Sequence, residues 1–233
     1  MVYFLSSKTS YEFPPPQLAE HDGLLAVGGD LCVKRLLNAY TKGIFPWYNP
    51  SEMILWWCPK ERFIIRPENV HISRSMKKLL AKNKYEVKFN QNFTEVMHFC
   101  RTLREGKTWL SDDMENAYIE LNKEGYVLCA GVYEREFGDA TSIENEHLVG
   151  GLYGVSIGKC FFGESMFSKV PSASKIAFYA LGEKLSKENY TMIDCQFHTE
   201  HLESLGGEWA TWEEYKKLLD KGLKDVDLEV LLW

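Results

Sequence analysis

Apolar residues recur at helical spacing in several segments, and the residues that flank those segments have the character of helix ends. In 31–42 the apolar positions fall roughly on one face, Asp30 precedes them as a candidate N-cap, and Gly43 follows as a stop. The same reasoning predicts further helices within 71–84, capped by Ser73, and over 92–104, 112–123, 172–187, 198–206 and 212–221. Thr211 and Glu214 form a capping-box pattern for the last of these.

The pattern changes after residue 125 to short apolar runs that are typical of strands. Segments 126–134, 147–158 and 159–165 predict an antiparallel set, with 135–146 as a polar hairpin loop. Further strands are predicted near 53–57 and over 191–197. This change of texture predicts an α+β fold with a small N-terminal domain and a larger α+β domain. We place the two domains at 1–60 and 61–233.

Composition limits the cellular setting of the chain. No segment approaches the roughly 20 apolar residues that a membrane-spanning helix needs, and the N-terminus lacks the pattern of a signal peptide. Six cysteines are scattered without a C-x-x-C pair, which favours neither a structural zinc site nor a disulfide framework. We therefore expect a cytoplasmic protein without a bound metal.

The charge is unevenly distributed. The net charge is −6, yet segment 71–88 carries six basic residues against a single acid, Glu86. Screening confines charge effects to about 8–10 Å at physiological salt, so a local basic patch can act despite the overall sign. The patch centres on Arg74, Lys77, Lys78 and Lys82. A solvated helix face is the alternative interpretation.

Nine segments, read together, carry a family resemblance. They are GLLAVGGDL (23–31), GIFPWYNP (43–50), ILWWCP (54–59), HISRSMKK (71–78), TWL (108–110), LVGGLYGV (148–155), FFGESMFS (161–168), SASK (172–175) and MIDCQ (192–196). In this order and spacing the chain resembles the bacterial leucyl/phenylalanyl-tRNA–protein transferase family over nearly its whole length. The resemblance implies an acetyltransferase-like (GNAT) C-terminal domain and no cofactor. It also implies transfer of leucine or phenylalanine from aminoacyl-tRNA to acceptor proteins that begin with Lys or Arg, which marks them for degradation.

The implied reaction is attack of an amine on an activated ester, which requires alignment more than a nucleophilic residue. Asp194 and Gln196 are two apart on a predicted strand, so we expect their side chains on one face, opposite Ile193, Cys195 and Phe197. Gln196 would hydrogen-bond the amine or the oxyanion while Asp194 orients it and draws the proton away. The resemblance places the reacting centre at the same pair. Two solvated polar residues at a strand end are the alternative.

Glu164 is the third candidate in the reacting centre. A carboxylate there would hold the ammonium of the aminoacyl group or the cationic side chain of the acceptor. A glutamate that caps a helix or forms a salt bridge is the alternative.

The resemblance also assigns the binding residues. By register with the family, an apolar pocket for the amino acid is expected from Leu152, Phe161, Met166, Leu181 and Leu185. These positions also match ordinary core spacing, and for Leu181 and Leu185 the core is the favoured interpretation. Methionine should be a poorer but real substrate, because such a pocket separates side chains by only about 1–3 kcal/mol per methylene. Trp47 and Trp109 would hold the 3′-terminal adenosine, and the basic patch would meet tRNA phosphates. We expect a monomer that binds no membrane.

One departure and two rival functions remain. The family pattern has Ser-(Val/Ile)-Glu where this chain has Cys129-Ala130-Gly131, which predicts altered efficiency or use of another acid.

An acyl-CoA-dependent N-acetyltransferase is the first rival function, but it would need a glycine-rich pyrophosphate turn, which 163–175 lacks. A tRNA-binding protein without activity is the second rival. The glycine segments fit neither G-x-x-x-x-G-K-[ST] nor G-x-G-x-x-G, which excludes those nucleotide loops.

Overall fold

The computed structural model describes residues 2–6, 11–103, 110–135 and 146–232. Helices in these ranges are α1 (Val33–Thr41), α2 (Arg74–Leu80), α3 (Phe93–Thr102), α4 (Asp112–Lys123), α5 (Ala173–Lys187), α6 (Glu200–Ser204), α7 (Trp212–Leu223) and α8 (Leu228–Leu232). The strands are β1 (Tyr3–Leu5), β2 (Leu24–Gly28), β3 (Phe45–Pro46), β4 (Leu55–Trp57), β5 (Glu61–Ile65), β6 (Tyr85–Phe89), β7 (Val127–Arg135), β8 (Glu146–Ile157), β9 (Cys160–Ser168), β10 (Met192–Asp194) and β11 (Glu208–Thr211). The predicted α+β class is confirmed.

These strands form two sheets. The smaller sheet has the order β1-β2-β4-β3, and the larger one has the order β11-β5-β10-β9-β8-β7-β6. Most neighbours in the larger sheet are antiparallel, but β10 pairs with β9 in parallel, and α5 supplies the crossover that parallel neighbours need. The first 60 residues contribute the small sheet and α1. The domain boundary and the acetyltransferase-like assignment stay predictions.

The larger sheet is covered on both faces. Alternate residues of its central strands belong to two separate core clusters, as the two-residue period of a strand requires. Helix α5 packs on one face through Ile176, Phe178 and Leu181. The other face receives α1, α3, α4 and α7, and it is continuous with the core under the small sheet. A cavity lined by Glu164, Ile193 and Gln196 lies at the end of β10.

Most helices match the sequence prediction because their end signals form as expected. Ser73 caps α2 by accepting from the Met76 amide, and Thr211 with Glu214 makes the full capping box of α7. Helix α1 begins later than predicted, since Cys32 is its N-cap. Asp30 instead accepts from the Cys32 amide (3.1 Å) and pairs with Arg35 (3.2 Å).

The strands were predicted less completely. Strands β7, β8 and β9 are antiparallel, as predicted. The predicted strand over 191–197 is wrong in its length, because β10 ends at Asp194. The sequence did not predict β1, β2, β3, β5, β6, β11 or α8, and most of the predicted loop at 135–146 lies outside the described residues.

Two facing glycines allow β8 and β9 to approach closely. Gly154 pairs with Gly163, and a Cβ on Gly154 would lie 2.2 Å from the carbonyl oxygen of Phe162. A Cβ on Gly163 would come no closer than 3.5 Å to another atom. The strand pair therefore tolerates a side chain on one of its two facing glycines only.

The pair provides a matched stability test. Gly154→Ala should lower the free energy of unfolding by about 1–3 kcal/mol, because the backbone of β9 must move to admit the methyl group. Gly163→Ala should change it by about 0.5 kcal/mol or less. Urea unfolding of both variants measures the difference, and equal effects would contradict the close approach.

Candidate active site

A β-bulge in β9 places Glu164 out of the regular strand. Tyr153 pairs with Ser165 and Gly154 pairs with Gly163, so Glu164 is the extra residue between them. Because of this extra residue, the side chains that follow it point to the opposite sheet faces from those of a regular strand. Phe161 and Met166 are an odd number of positions apart, yet both pack with the α5 face of the sheet.

The neighbouring strand β10 stops at the same level. Its pairing with β9 runs from Met192 opposite Cys160 to Asp194 opposite Phe162 and goes no further. The chain then turns, and Gln196 has a left-handed φ of 65°. The prediction that Asp194 and Gln196 share one strand face is therefore wrong: Ile193, Cys195 and Gln196 border one cavity, and Asp194 does not.

The cavity between the bulge and the end of β10 has a volume of about 230 Å³. Its apolar walls are Leu152, Phe161, Met166, Phe178, Ile193 and Leu202. Glu164 and Gln196 supply polar groups to the same cavity, so it combines apolar walls with a carboxyl and an amide. The structure thus brings together Leu152, Phe161 and Met166, as expected from the sequence.

Leu181 and Leu185 do not border this cavity, which corrects their expected place in the pocket. Both are fully buried between α5 and the sheet. Phe178 is the α5 residue that reaches the cavity. At 1.5 Å of rise per residue, the two leucines lie about 4.5 and 10 Å further along the helix axis, beyond the cavity wall.

Asp194 is buried behind the turn that presents Gln196. Its side chain is 1% exposed, and its Oδ1 lies 3.3 Å from the Nε of Arg62. Oδ1 accepts from the Gln196 amide N–H (2.8 Å), and Oδ2 accepts from the Tyr215 hydroxyl (2.8 Å). Burial raises the pKa of Asp194, while the Arg62 charge and these hydrogen bonds oppose that rise. The expectation that Asp194 contacts the reacting groups directly is therefore wrong. Asp194 is buried and instead holds the turn that presents Gln196.

Arg62 completes this buried group and was missed in the sequence. Its guanidinium lies between the rings of Phe45 (4.8 Å) and Tyr215 (4.6 Å) and donates to the carbonyl oxygen of Gly43 and to the Tyr215 hydroxyl. A charged residue inside the apolar run of β5 was the available signal, because arginine is rarely buried unless it is paired.

Glu164 is surrounded by hydroxyl groups from two helices. Its Oε1 lies 2.7 Å from the Tyr40 hydroxyl, and its Oε2 lies 2.8 Å from the Tyr118 hydroxyl. The Gln196 side chain donates from Nε2 to Oε1 at 3.2 Å. Burial raises the pKa of Glu164 to about 8, although the hydrogen bonds from Tyr40, Tyr118 and Gln196 oppose the shift. Nothing in the sequence indicated that these tyrosines converge on Glu164.

Trp47 lies beside the segment that leaves the cavity. It is 44% exposed, and its ring centroid is 5.4 Å from that of Phe197, which directly follows Gln196. The Trp57 ring centroid lies 5.9 Å from that of Trp47. An exposed indole thus stands near the polar residues of the cavity. Trp109, the second expected adenosine contact, lies outside the described residues.

The basic patch is a surface feature of α2 and the turn after it. Arg74, Lys77, Lys78 and Lys82 are exposed, whereas Met76 turns inward. None of the four forms an ion pair with any residue that the structure describes, but Lys84 and Lys88 pair with Glu134 and Glu146. Gly131, which stands where the family pattern has Glu, lies directly opposite Lys88 in the sheet.

A metal-binding cluster and a membrane-spanning helix are both absent from the described ranges. No group of three or more His, Cys, Asp or Glu side chains there could hold a metal ion. Equally, none of the helices placed by the structure has the length and apolar character to cross a membrane.

The buried pair makes a prediction about stability. Arg62→Met should lower the free energy of unfolding by about 3–5 kcal/mol, because Asp194 keeps a buried carboxyl without its cation. Asp194→Asn should cost far less in the Arg62→Met background than in the native chain, with a coupling energy of about 1–3 kcal/mol. Urea unfolding of both single variants and the double variant gives the coupling, and additive losses would contradict the pairing.

Comparison with known proteins assigns the chain to a family. Residues 64–220 match the family described as Leucyl/phenylalanyl-tRNA protein transferase, and residues 29–60 match its N-terminal domain. Among solved structures, L-PGS from Bacillus licheniformis is similar at 11% identity, with 89% of this chain and 73% of that chain covered and a TM-score of 0.38.

Curated relatives agree with the family match. Proteins named leucyl/phenylalanyl-tRNA–protein transferase are 46% identical in Syntrophus aciditrophicus (91% of this chain, 86% of that protein) and 47% identical in Flavobacterium johnsoniae (89% and 94%). A third, from Nitrosomonas eutropha, is 46% identical (95% and 91%). The chain therefore belongs to the leucyl/phenylalanyl-tRNA protein transferase family of enzymes.

Proposed function

We propose that the protein transfers leucine or phenylalanine, and methionine less efficiently, from aminoacyl-tRNA to proteins that begin with Lys or Arg. The observation that carries this proposal is the cavity bordered by apolar walls on one side and by Glu164 and Gln196 on the other. Such a cavity takes up an apolar side chain and keeps the attached ester beside an amide. A cytoplasmic, monomeric enzyme is part of the same proposal.

The walls support an apolar aminoacyl group. Leu152, Phe161 and Phe178 offer no hydrogen-bonding side chain, so a polar group placed against these walls would give up its hydrogen bonds with water without replacement. Met166 is flexible and polarisable, which suits a wall that accepts both branched and aromatic guests. The remaining discrimination is one of size, and a methionine side chain therefore enters with a weaker fit.

The chemistry needs the two substrates held in line. The amine nitrogen of the acceptor attacks the ester carbonyl carbon, a C–N bond forms, and the C–O bond to the tRNA breaks with the proton passing to the ribose oxygen. Alignment alone contributes about 7–11 kcal/mol to lowering the barrier of such a step. Gln196 borders the cavity and is fixed through its backbone by Asp194 and through its side chain by Glu164. This double fixation supports Gln196 as the residue that orients the reacting groups.

The acceptor would approach over α6. Thr199, His201 and Leu202 border the cavity, and the exposed Glu200 lies among them in the chain. A carboxylate at this position offers a complementary charge to an acceptor side chain of Lys or Arg. The choice of these acceptors otherwise follows from the family resemblance.

The tRNA would be held at two places. Trp47 offers an exposed indole for the terminal adenosine, and stacking of a base on an aromatic ring is worth about 1–3 kcal/mol. The α2 patch offers exposed cations for backbone phosphates, which position a nucleic acid without reading its sequence. An enzyme that selects the amino acid more than the tRNA body needs this kind of contact.

A transfer assay tests the proposed reaction. Labelled phenylalanine should pass from Phe-tRNA to a peptide with N-terminal Arg and not to the same peptide beginning with Asp. Gln196→Ala should reduce transfer about 100-fold, because the reacting groups lose their alignment, while tRNA binding stays near normal. Gln196→Asn, which tolerates the left-handed backbone but shortens the side chain, controls for backbone strain. Full activity in both variants would remove Gln196 from the mechanism.

A charge-reversal pair tests the tRNA surface. Lys77→Glu with Lys78→Glu should weaken tRNA binding and reduce the slope of log K against log salt by about 0.7–0.9 for each phosphate that is no longer neutralised. Lys217→Glu with Lys221→Glu makes the same change in net charge on exposed positions of α7. Binding isotherms at several salt concentrations compare the two pairs of substitutions. Identical salt slopes would contradict the proposal that the α2 patch binds tRNA phosphates.

A further inference from the structure

Three side chains form a closed ring of hydrogen bonds at the back of the cavity. The Tyr40 hydroxyl is 2.7 Å from Glu164 Oε1, the Tyr118 hydroxyl is 2.8 Å from Glu164 Oε2, and the two hydroxyls are 2.7 Å from each other. Both tyrosines are fully buried. All three separations are ordinary hydrogen-bond lengths for O–H···O contacts.

Counting hydrogens decides the charge of this ring. Each tyrosine hydroxyl has one hydrogen to donate, and an ionised carboxylate has none. Two hydrogens cannot serve three contacts, so an ionised Glu164 would leave one pair of oxygens facing each other with lone pairs only. A hydrogen on the carboxyl group supplies the third bond, and the ring is then complete.

The direction of the ring follows from Gln196. Since Gln196 Nε2 donates to Oε1, that oxygen is best used as the carbonyl oxygen of the acid, which also accepts from Tyr40. Oε2 then carries the hydrogen and donates to Tyr118, and Tyr118 donates to Tyr40. In this order each of the three hydroxyl hydrogens has its own acceptor. The Gln196 amide nitrogen is thereby fixed toward Glu164.

We propose that Glu164 works as a neutral carboxylic acid, held in a ring of three hydrogen bonds by Tyr40 and Tyr118, and that this ring directs the Gln196 carbonyl oxygen toward the attacking amine. Tyr40 and Tyr118 are thus positioning residues. The proposal rests on the proposed transfer reaction and replaces the expected role of Glu164 as the partner of a cation.

A neutral Glu164 suits the chemistry. An N-terminal amine has a pKa of about 7.7–8.0 and attacks only in its unprotonated form. An ionised carboxylate close by would favour the ammonium form and so remove the nucleophile. A neutral acid leaves the amine free to lose its proton, and the Gln196 carbonyl oxygen accepts a hydrogen from the amine without adding charge.

The surroundings of Glu164 favour this neutral form. Burial is the largest cause that raises its pKa to about 8, and the charge of Asp194 adds to it. The other titratable or charged groups that face this region are Tyr40 of α1, Tyr118 of α4, Tyr153 of β8, Arg62 of β5 beside Asp194, and Cys195 and His201 at the cavity. Arg62 forms its ion pair with Asp194, so no described cation pairs with Glu164.

A titration of the carboxyl group tests the proposal without the transfer reaction. In protein labelled with ¹³C at glutamate carboxyls, the signal absent from Glu164→Gln identifies Glu164. Its midpoint should lie near 8, and a midpoint below about 6 would overturn the proposal. Because the native fold binds the proton more tightly than the unfolded chain, whose ordinary value is 4.5, stability from this group is lost as pH rises from 4.5 through about 8. The melting temperature of Glu164→Gln should therefore rise relative to native as pH increases over that range.

Rescue by an isosteric amide tests the orienting role. In Glu164→Gln an amide oxygen can accept from Tyr40 and Gln196 while the NH₂ donates to Tyr118, so most of the transfer rate should remain. Glu164→Ala should lose about 100-fold, because the Gln196 amide is no longer held. Tyr118→Phe should lower kcat with an unchanged KM for tRNA, whereas Tyr190→Phe, whose hydroxyl contacts only Ser156 in the described hydrogen bonds, is the matched control. Equal losses in Glu164→Gln and Glu164→Ala would overturn the proposal, whereas failure of native transfer with a midpoint near 8 would count against the proposed function alone.

Discussion

The contact between Asp194 and Arg62 is the interaction on which the rest of the site depends. Both side chains are 1% exposed, and a buried charge of either sign would be costly without its partner. The guanidinium is enclosed by two aromatic rings and by the carbonyl oxygen of Gly43, which ties the turn after α1 to β5, β10 and α7. One carboxylate therefore joins the N-terminal part of the chain to the strand end that presents Gln196.

Two interruptions of regular structure then create the cavity. Strand β9 bulges at Glu164, and β10 ends opposite Phe162, so the sheet opens between them. Because the bulge changes the facing of β9, Met166 joins Phe161 on the wall of the cavity. The same bulge aims Glu164 at the tyrosines of the opposite face. One extra residue thus places both an apolar wall residue and a carboxyl group at the cavity.

The helices and their ends were largely predictable from the sequence, because caps and periodicity are local signals. The early end of β10 was not predictable, because the spacing of Asp194 and Gln196 is that of two residues on one strand face. The contact that separates them is the pairing of the Asp194 carboxylate with the buried Arg62, which is distant in the sequence. Tyr40 and Glu164 are 124 positions apart, and Arg62 and Tyr215 are 153 apart. No local pattern reports such contacts. Leu181 and Leu185 show the reverse problem, because core spacing and pocket spacing on α5 look the same in the sequence.

In the proposed reaction the aminoacyl group enters the cavity with its ester carbonyl beside Gln196. A crystal structure with a stable 3′-amide analogue of phenylalanyl-adenosine tests it most directly. We expect the phenyl ring between Leu152, Met166 and Phe178, the carbonyl next to the Gln196 side chain, and the adenine against Trp47. A phenyl ring bound outside this cavity, or a carbonyl remote from Gln196, would contradict it.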